Sequence, residues 1–114
     1  MGLQITSRKS GDITILDLCG RITIGSSNDT LGSELRKLAE AAPCKVLVNL
    51  GGVTQVDSSG ISTIVRSFVT LERRGGQLKI LKPGGHVREV LELTRLIRSI
   101  PTFDNEDSAL ASFA

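Results

Sequence analysis

Two hydrophobic periods alternate along this chain, and that alternation limits the fold more than any other feature. Short apolar runs are separated by stretches in which apolar residues recur three and four apart. The first kind reads as strand, the second as helix. Leu3-Gln4-Ile5 alternates as an edge strand, and Ser7-Arg8-Lys9-Ser10-Gly11-Asp12 reads as a turn. Ile13 to Cys19 forms the next strand. Its apolar phase slips between Ile15 and Leu16, which predicts a bulge or burial on both faces. Ser26-Ser27-Asn28-Asp29 supplies capping side chains for a helix with Leu31, Leu35, Leu38 and Ala42 on one face, ended by Pro43. Val46 to Leu50 is continuously apolar, as in a central strand covered on both sides, and Gly51-Gly52 opens a loop. Ile61, Ile64, Val65, Phe68 and Leu71 form the stripe of a second helix, closed by Glu72-Arg73-Arg74 and Gly75-Gly76. Leu78 to Leu81 is another strand. Lys82-Pro83-Gly84-Gly85 turns into a helix carrying Val87, Val90, Leu91 and Thr94. Ile97 to Ile100 reads as a last short strand. Asp104-Asn105 caps a terminal helix with Ala109, Leu110 and Phe113 on its apolar face.

Strands separated by helices imply parallel neighbours with right-handed crossovers. The expected architecture is α/β: a mixed sheet of about five strands, with a parallel core and an antiparallel edge pair, packed by about four helices. A length of 114 residues fits one domain, residues 1–114, large enough to fold without a disulfide or metal. No apolar run reaches the ~18 residues of a membrane span, and Met1–Ser10 is polar and strand-like rather than a signal peptide. No membrane insertion is expected, and the location expected is cytoplasmic.

The inventory for catalysis is sparse. His86 is the single histidine, and Cys19 and Cys44 are far apart, without CxxC or zinc spacing. His86 reads as a capping or surface residue, and the cysteines as small buried hydrophobes in a reducing setting. With no Trp or Tyr there is no stacking platform for single-stranded nucleic acid. The formal net charge of +2 is too small to demand a polyanion. Residues 61–100 nevertheless carry eight basic and three acidic side chains, so the basic surplus is concentrated there. It reads as a solvated helix face with a basic bias, or as a patch facing an acidic partner or phosphate.

The segment that can carry function runs from Asn49 to Gly60 and ends Val56-Asp57-Ser58-Ser59-Gly60. It lies between a buried strand and a helix start, at the carboxyl end of a parallel strand, where sites form in open α/β sheets. Asp and Ser there are ordinary N-caps, and Gly60 permits close packing on the sheet. A Walker A loop is excluded because GxxxxGK[ST] is absent, and a nucleophile elbow because GxSxG is absent. A regulated phosphorylation site stands beside the capping reading. A hydroxyl at a helix N-terminus sits among free N–H donors at the positive end of the dipole. A phosphate added there brings about −1.5 to −2 charges, tolerable to the fold and hostile to a partner packed over it.

Taken in order, Gly20-Arg21-Ile22, Val46 to Leu50, Asp57-Ser58-Ser59-Gly60, Gly75-Gly76-Gln77-Leu78-Lys79-Ile80, Val87 to Leu96 and Phe103 to Leu110 resemble the anti-sigma factor antagonist family. Its STAS domain is shared with sulphate transporters. The resemblance covers nearly the whole chain and implies a STAS-type sheet. It also implies a binding protein, not an enzyme, with no cofactor and no catalytic or metal residues. Its partner would be an anti-sigma factor of the GHKL serine-kinase type. Binding frees the sigma factor, phosphorylation dissociates the complex, and a PP2C-type phosphatase resets it. By position the phosphoacceptor is Ser58, in a regulatory loop with Asp57, Ser59 and Gly60. Asp57 shapes that loop and Ser59 satisfies backbone groups at the helix start. Thr23, Ile61, Ser62 and Arg66 fall on the partner surface. The protein would be a monomer or weak dimer with no direct nucleic-acid contact. Three departures stand out. Thr23 occupies a place where the family often has an acidic residue, Ile61-Ser62 replaces a frequent Leu-Gly, and Thr94-Arg95 a frequent Ser-Gly. A STAS scaffold in a stressosome-like or transporter complex is the alternative. An enzyme using Asp57 to Ser59 on nucleotides is a third reading, disfavoured by the sparse inventory.

Overall fold

A computed structural model describes residues 3–23, 26–41, 44–93 and 100–113. Five strands form one sheet in the order β1-β2-β3-β4-β5: β1 is Leu3–Ser10, β2 Ile13–Ile22, β3 Lys45–Val56, β4 Gln77–Leu81 and β5 Thr102–Phe103. The β1–β2 pair is antiparallel and every other pair is parallel. Four helices are present among the described residues: α1 (Ser26–Glu40), α2 (Ser58–Arg73), α3 (Gly85–Leu93) and α4 (Glu106–Ala111). The mixed sheet and its helices are those expected from the alternation of periods.

The sheet is covered on both faces. On one, Leu16, Leu18, Val46, Val48, Leu50, Leu78 and Ile80 pack against Leu31, Leu35 and Ala39 of α1, Ile61, Ile64 and Leu71 of α2, and Val87 and Leu91 of α3. On the other, Ile13, Ile15, Leu47 and Leu81 meet Ala109 and Phe113 at the terminal helix. This two-sided cover explains the phase slip in β2: Ile13 to Leu16 are all buried because successive side chains enter different cores. A bulge is present as well, farther along, where the β2–β3 register shifts between Asp17 and Cys19 and again between Gly20 and Arg21.

Three expectations are corrected. The first hairpin is longer than its polar sequence suggests. Ser7 to Ser10 remain in β1, paired up to Ser10–Ile13, and only Gly11-Asp12 turn. Gly11, at φ 62°, takes the left-handed conformation such a two-residue turn needs, and Arg8 and Lys9 are tolerated because the strand is at the edge. Secondly, Gly51-Gly52 do not open a loop. The strand β3 continues to Val56, with Val53 and Val56 buried. A Cβ at Gly52 would lie 2.8 Å from the carbonyl oxygen of Leu18, so glycine there lets β3 stay against the bulged strand. Thirdly, among the described residues the last strand is Thr102–Phe103, and Ile100, the one described residue of the expected Ile97 to Ile100 strand, lies in a bend before it. Pro101 cannot donate, but its carbonyl accepts from Ile80 N at 2.9 Å and Phe103 O accepts from Lys82 N at 2.7 Å, so pairing begins at the proline. Residues 97–99, Ala42, Pro43 and Thr94 lie outside the described residues.

Two other helix ends follow their sequence signals. Gly75, at φ 81°, closes α2 with its N–H on Glu72 O, while Gly76 N donates to Leu71 O. Asn105 caps α4 by accepting from Ser108 N at 3.0 Å.

Candidate functional site at the start of the second helix

The strand β3 delivers the chain to Asp57 at the carboxyl edge of the sheet. Asp57 N donates to Ile22 O at 3.2 Å, so the loop is tied to the end of β2. The backbone of Asp57 is extended, and one carboxylate oxygen, Oδ1, accepts from Ser59 N at 3.0 Å, Gly60 N at 3.1 Å and Ser59 Oγ at 2.6 Å. Asp57 therefore caps α2, as its residue type predicts. Ser59 acts differently from expectation. Its hydroxyl donates to the capping carboxylate, so it holds Asp57 in place and leaves the backbone donors to the aspartate.

Gly60 is buried against Ile22 and Val56, where a Cβ would come within 2.7 Å of Ile22 Cγ2 and 2.8 Å of Ile22 O. Ser58, between these fixed neighbours, is exposed. No acidic side chain occupies the first turn of α2. Two of the leading N–H groups are already taken by Asp57, so the donor set open to an anion is smaller than the sequence alone suggests. A group added to the Ser58 oxygen would extend toward water.

The other residues indicated by sequence are arranged unevenly. Ser62 and Arg66 are exposed, and Arg66 Nε donates to Ser62 O at 3.4 Å. Ile61 is only 7% exposed and belongs to the core under α2, presenting an edge to a shallow depression shared with Ser59, Ser62, Val65 and Arg66. Thr23, half-buried, follows Ile22 directly and so sits one residue from the Asp57 anchor on β2. Cys19 is exposed rather than buried, because it falls in the bulged, outer part of β2. Cys44 is half-buried, its Sγ donating to Leu38 O at 3.2 Å, and burial pushes its thiol above the ordinary range. The side chain of His86 is outside the described set.

Sequence reading missed a groove between α1 and α2. Gly32, Leu35, Arg36 and Ala39 line it from α1, and Thr63, Arg66, Ser67 and Thr70 from α2, around a volume of about 490 Å³. The signal was available in the spacing of these residues on each helix, but the facing of the two helices was not. Thr63, Ser67 and Thr70 each donate their hydroxyl to the carbonyl four residues back, at 3.1, 2.8 and 2.8 Å. Among the described residues no group of three His, Cys, Asp or Glu side chains could hold a metal, and no helix is long and apolar enough to cross a membrane.

Comparison with known proteins gives a match to the family model described as STAS domain over residues 4–109. An anti-sigma F factor antagonist of Paenibacillus polymyxa is 24% identical over 111 residues, covering 96% of this chain and 94% of that protein. In crystal form, an anti-sigma factor antagonist from Mycobacterium paratuberculosis superposes with a TM-score of 0.85 at 17% identity, covering 97% of this chain and 93% of that one. The Bacillus cell fate determinant SpoIIAA, in its phosphorylated form, gives 0.76 at 15% identity over 97% of this chain and 100% of that one. At these identities the structural likenesses establish the shared fold.

Proposed function

The chain belongs to the STAS domain family, and from that premise we propose that it is an anti-sigma factor antagonist switched by phosphorylation of Ser58. It binds an anti-sigma factor that is a GHKL-type serine kinase, and this binding releases the sigma factor. Transfer of phosphate to Ser58 ends the complex, and a PP2C-type phosphatase restores it. The protein acts in the cytoplasm as a binding module and kinase substrate, and does no catalysis itself.

One observation carries this reading: Ser58 is exposed while the residues on both sides of it are fixed, Asp57 as a cap and Gly60 in the core. A hydroxyl so placed is presented to an enzyme in a constant position. The dianion it would acquire sits on the residue between the Asp57 cap and Ser59, and Ser59 lines a depression with Ser62, Val65 and Arg66. A partner packed there would have to desolvate the phosphate or face it with its own charges, which weakens binding without unfolding the antagonist.

The test is phosphate transfer from ATP by the anti-sigma kinase of the same organism. Wild type is expected to take up one phosphate, at Ser58, and Ser58→Ala none. Equal incorporation into Ser58→Ala refutes the assignment. Ser58→Asp is expected to bind that kinase at least tenfold more weakly by calorimetry, a change of about 1.4 kcal/mol. Unchanged affinity removes the switch.

A further inference from the structure

We propose that the groove between α1 and α2 is a second docking element, which receives an acidic segment of the protein partner and extends its footprint away from Ser58. This rests on the reading above and adds to it the chemistry of the partner's surface.

The groove is lined by two arginines, one from each helix, and by no acidic side chain. Arg36 and Arg66 are both exposed. Such a pair can fork around a carboxylate as a single ammonium cannot. Between them lie three hydroxyl residues of α2, and Leu35 and Ala39 supply an apolar floor. Ser67 and Thr70 direct their hydroxyl protons to backbone carbonyls, so their oxygens can offer acceptor lone pairs along the α2 wall, while buried Thr63 turns its methyl toward Gly32. The lining thus offers cationic donors at the rim, acceptors along one wall and a greasy base. A protein segment bearing carboxylates, with its own N–H or hydroxyl donors and a short apolar side chain, matches all three.

Continuity with the Ser58 region comes from Arg66, which lines this groove and also the depression beside Ser59. The outward ridge of α2 runs from Ser58 through Ser62, Arg66 and Val69 to Arg73, all exposed, with no acidic residue on that line. Val69, at 38% exposure, is one of two large apolar side chains left open among the described residues. A partner seated over Ser58 and following this ridge reaches the groove without crossing a carboxylate. Of the basic residues in the second half of the chain, Arg66 lines the groove and Arg73 ends the ridge that leads past it. The complementary charge also favours encounter, so its loss is read in association rate and salt dependence as well as affinity.

The experiment compares wild type, Arg36→Glu and Lys9→Glu for binding to the anti-sigma kinase of the same organism, by calorimetry and stopped-flow. Lys9 lies on the edge strand β1, and its substitution changes net charge equally. Arg36→Glu is expected to weaken the complex about tenfold, mainly through slower association at low salt, while Lys9→Glu changes it less than about twofold. Both variants are expected to accept phosphate at Ser58 to the wild-type extent at saturating kinase. Arg36→Glu matching Lys9→Glu, with Ser58 still phosphorylated, overturns the groove proposal alone. Absence of phosphorylation in wild type overturns the parent reading and this one with it. A small anion as occupant would appear as pyrophosphate-induced amide shifts at Gly32 and Thr63 at constant ionic strength, with no effect of Arg36→Glu on the kinase. A second copy of the chain would appear as dimer in sedimentation that Arg36→Glu abolishes. Either result also overturns the proposal.

Discussion

Gly60 has the tightest surroundings in the loop. Its missing Cβ would face the Ile22 side chain at 2.7 Å, the Ile22 carbonyl at 2.8 Å and Val56 Cγ2 at 2.9 Å. Since that carbonyl also accepts from Asp57 N, Gly60→Ala must lift the start of α2 off β2 and break the tie together. We expect Gly60→Ala to lower unfolding free energy by about 1–3 kcal/mol, as overpacking does. Gly84→Ala, with nothing within 4 Å, is expected to stay within about 0.5 kcal/mol. Urea titration of both variants checks this, and equal midpoints would contradict it. Asp57→Ala is expected to cost about 1 kcal/mol while Asp57→Asn keeps most of the cap, because an amide oxygen can accept the same N–H groups. The capping role of Asp57 was legible in the sequence because capping is local chemistry. The burial of Ile61 and the bond from Ser59 to Asp57 were not. Both depend on how α2 lies on the sheet, which a run of six residues does not encode.

Element ends were legible where a local signal marks them, and misread where a distant element decides. Gly75 and Asn105 end and begin helices as their types predict. The length of β1 is another matter. Arg8 donates from Nε and Nη2 to both oxygens of Asp17 on β2, at 2.6 and 3.2 Å, and also forms a paired contact with Glu106 at the start of α4. Asn49 Nδ2 adds a bond to Asp17 Oδ1 at 2.7 Å. No spacing rule connects residues 98 positions apart, so a segment that reads as turn became strand through contacts the sequence does not announce. This clamp predicts a pH dependence. Hydrogen bonds from Arg8 hold both Asp17 and Glu106 below the usual carboxylate range. A carboxylate depressed in the folded state contributes stability above its unfolded pKa of about 4 and loses it as pH falls through the folded value. Side-chain exposures of 42% for Arg8, 30% for Asp17 and 32% for Glu106 limit the contribution to about 1 kcal/mol. Arg8→Gln is therefore expected to be less stable than wild type by about that much at pH 6, with the two urea midpoints converging toward pH 3. Parallel midpoints across that range would rule out the clamp as a stabilising element.

At the scale of the whole molecule, the question is whether a charge at Ser58 acts through the fold or only at its surface. The core lies in two layers, and Ser58 belongs to neither. Beneath it, Asp57 is bound to Ile22 and Gly60 is packed on Val56, so the sheet edge does not depend on the serine hydroxyl. An added negative charge meets the positive end of a 16-residue helix that has no other acid in its first turn. That interaction is worth about 0.3–1 kcal/mol, reduced here by the nearby Asp57 carboxylate. For a chain of this size such a gain moves the melting temperature by no more than about 4 °C. Ser58→Asp is therefore expected to melt at the wild-type temperature or up to about 4 °C above it, while its affinity for the kinase falls at least about tenfold. Differential scanning calorimetry on the free protein separates the two effects. If Ser58→Asp melts well below wild type, the modification works by loosening the scaffold, and loss of binding is a consequence of unfolding. If its melting is unchanged while binding is lost, the sheet and helices serve as a rigid mount, and the switch resides in the charge at one exposed oxygen.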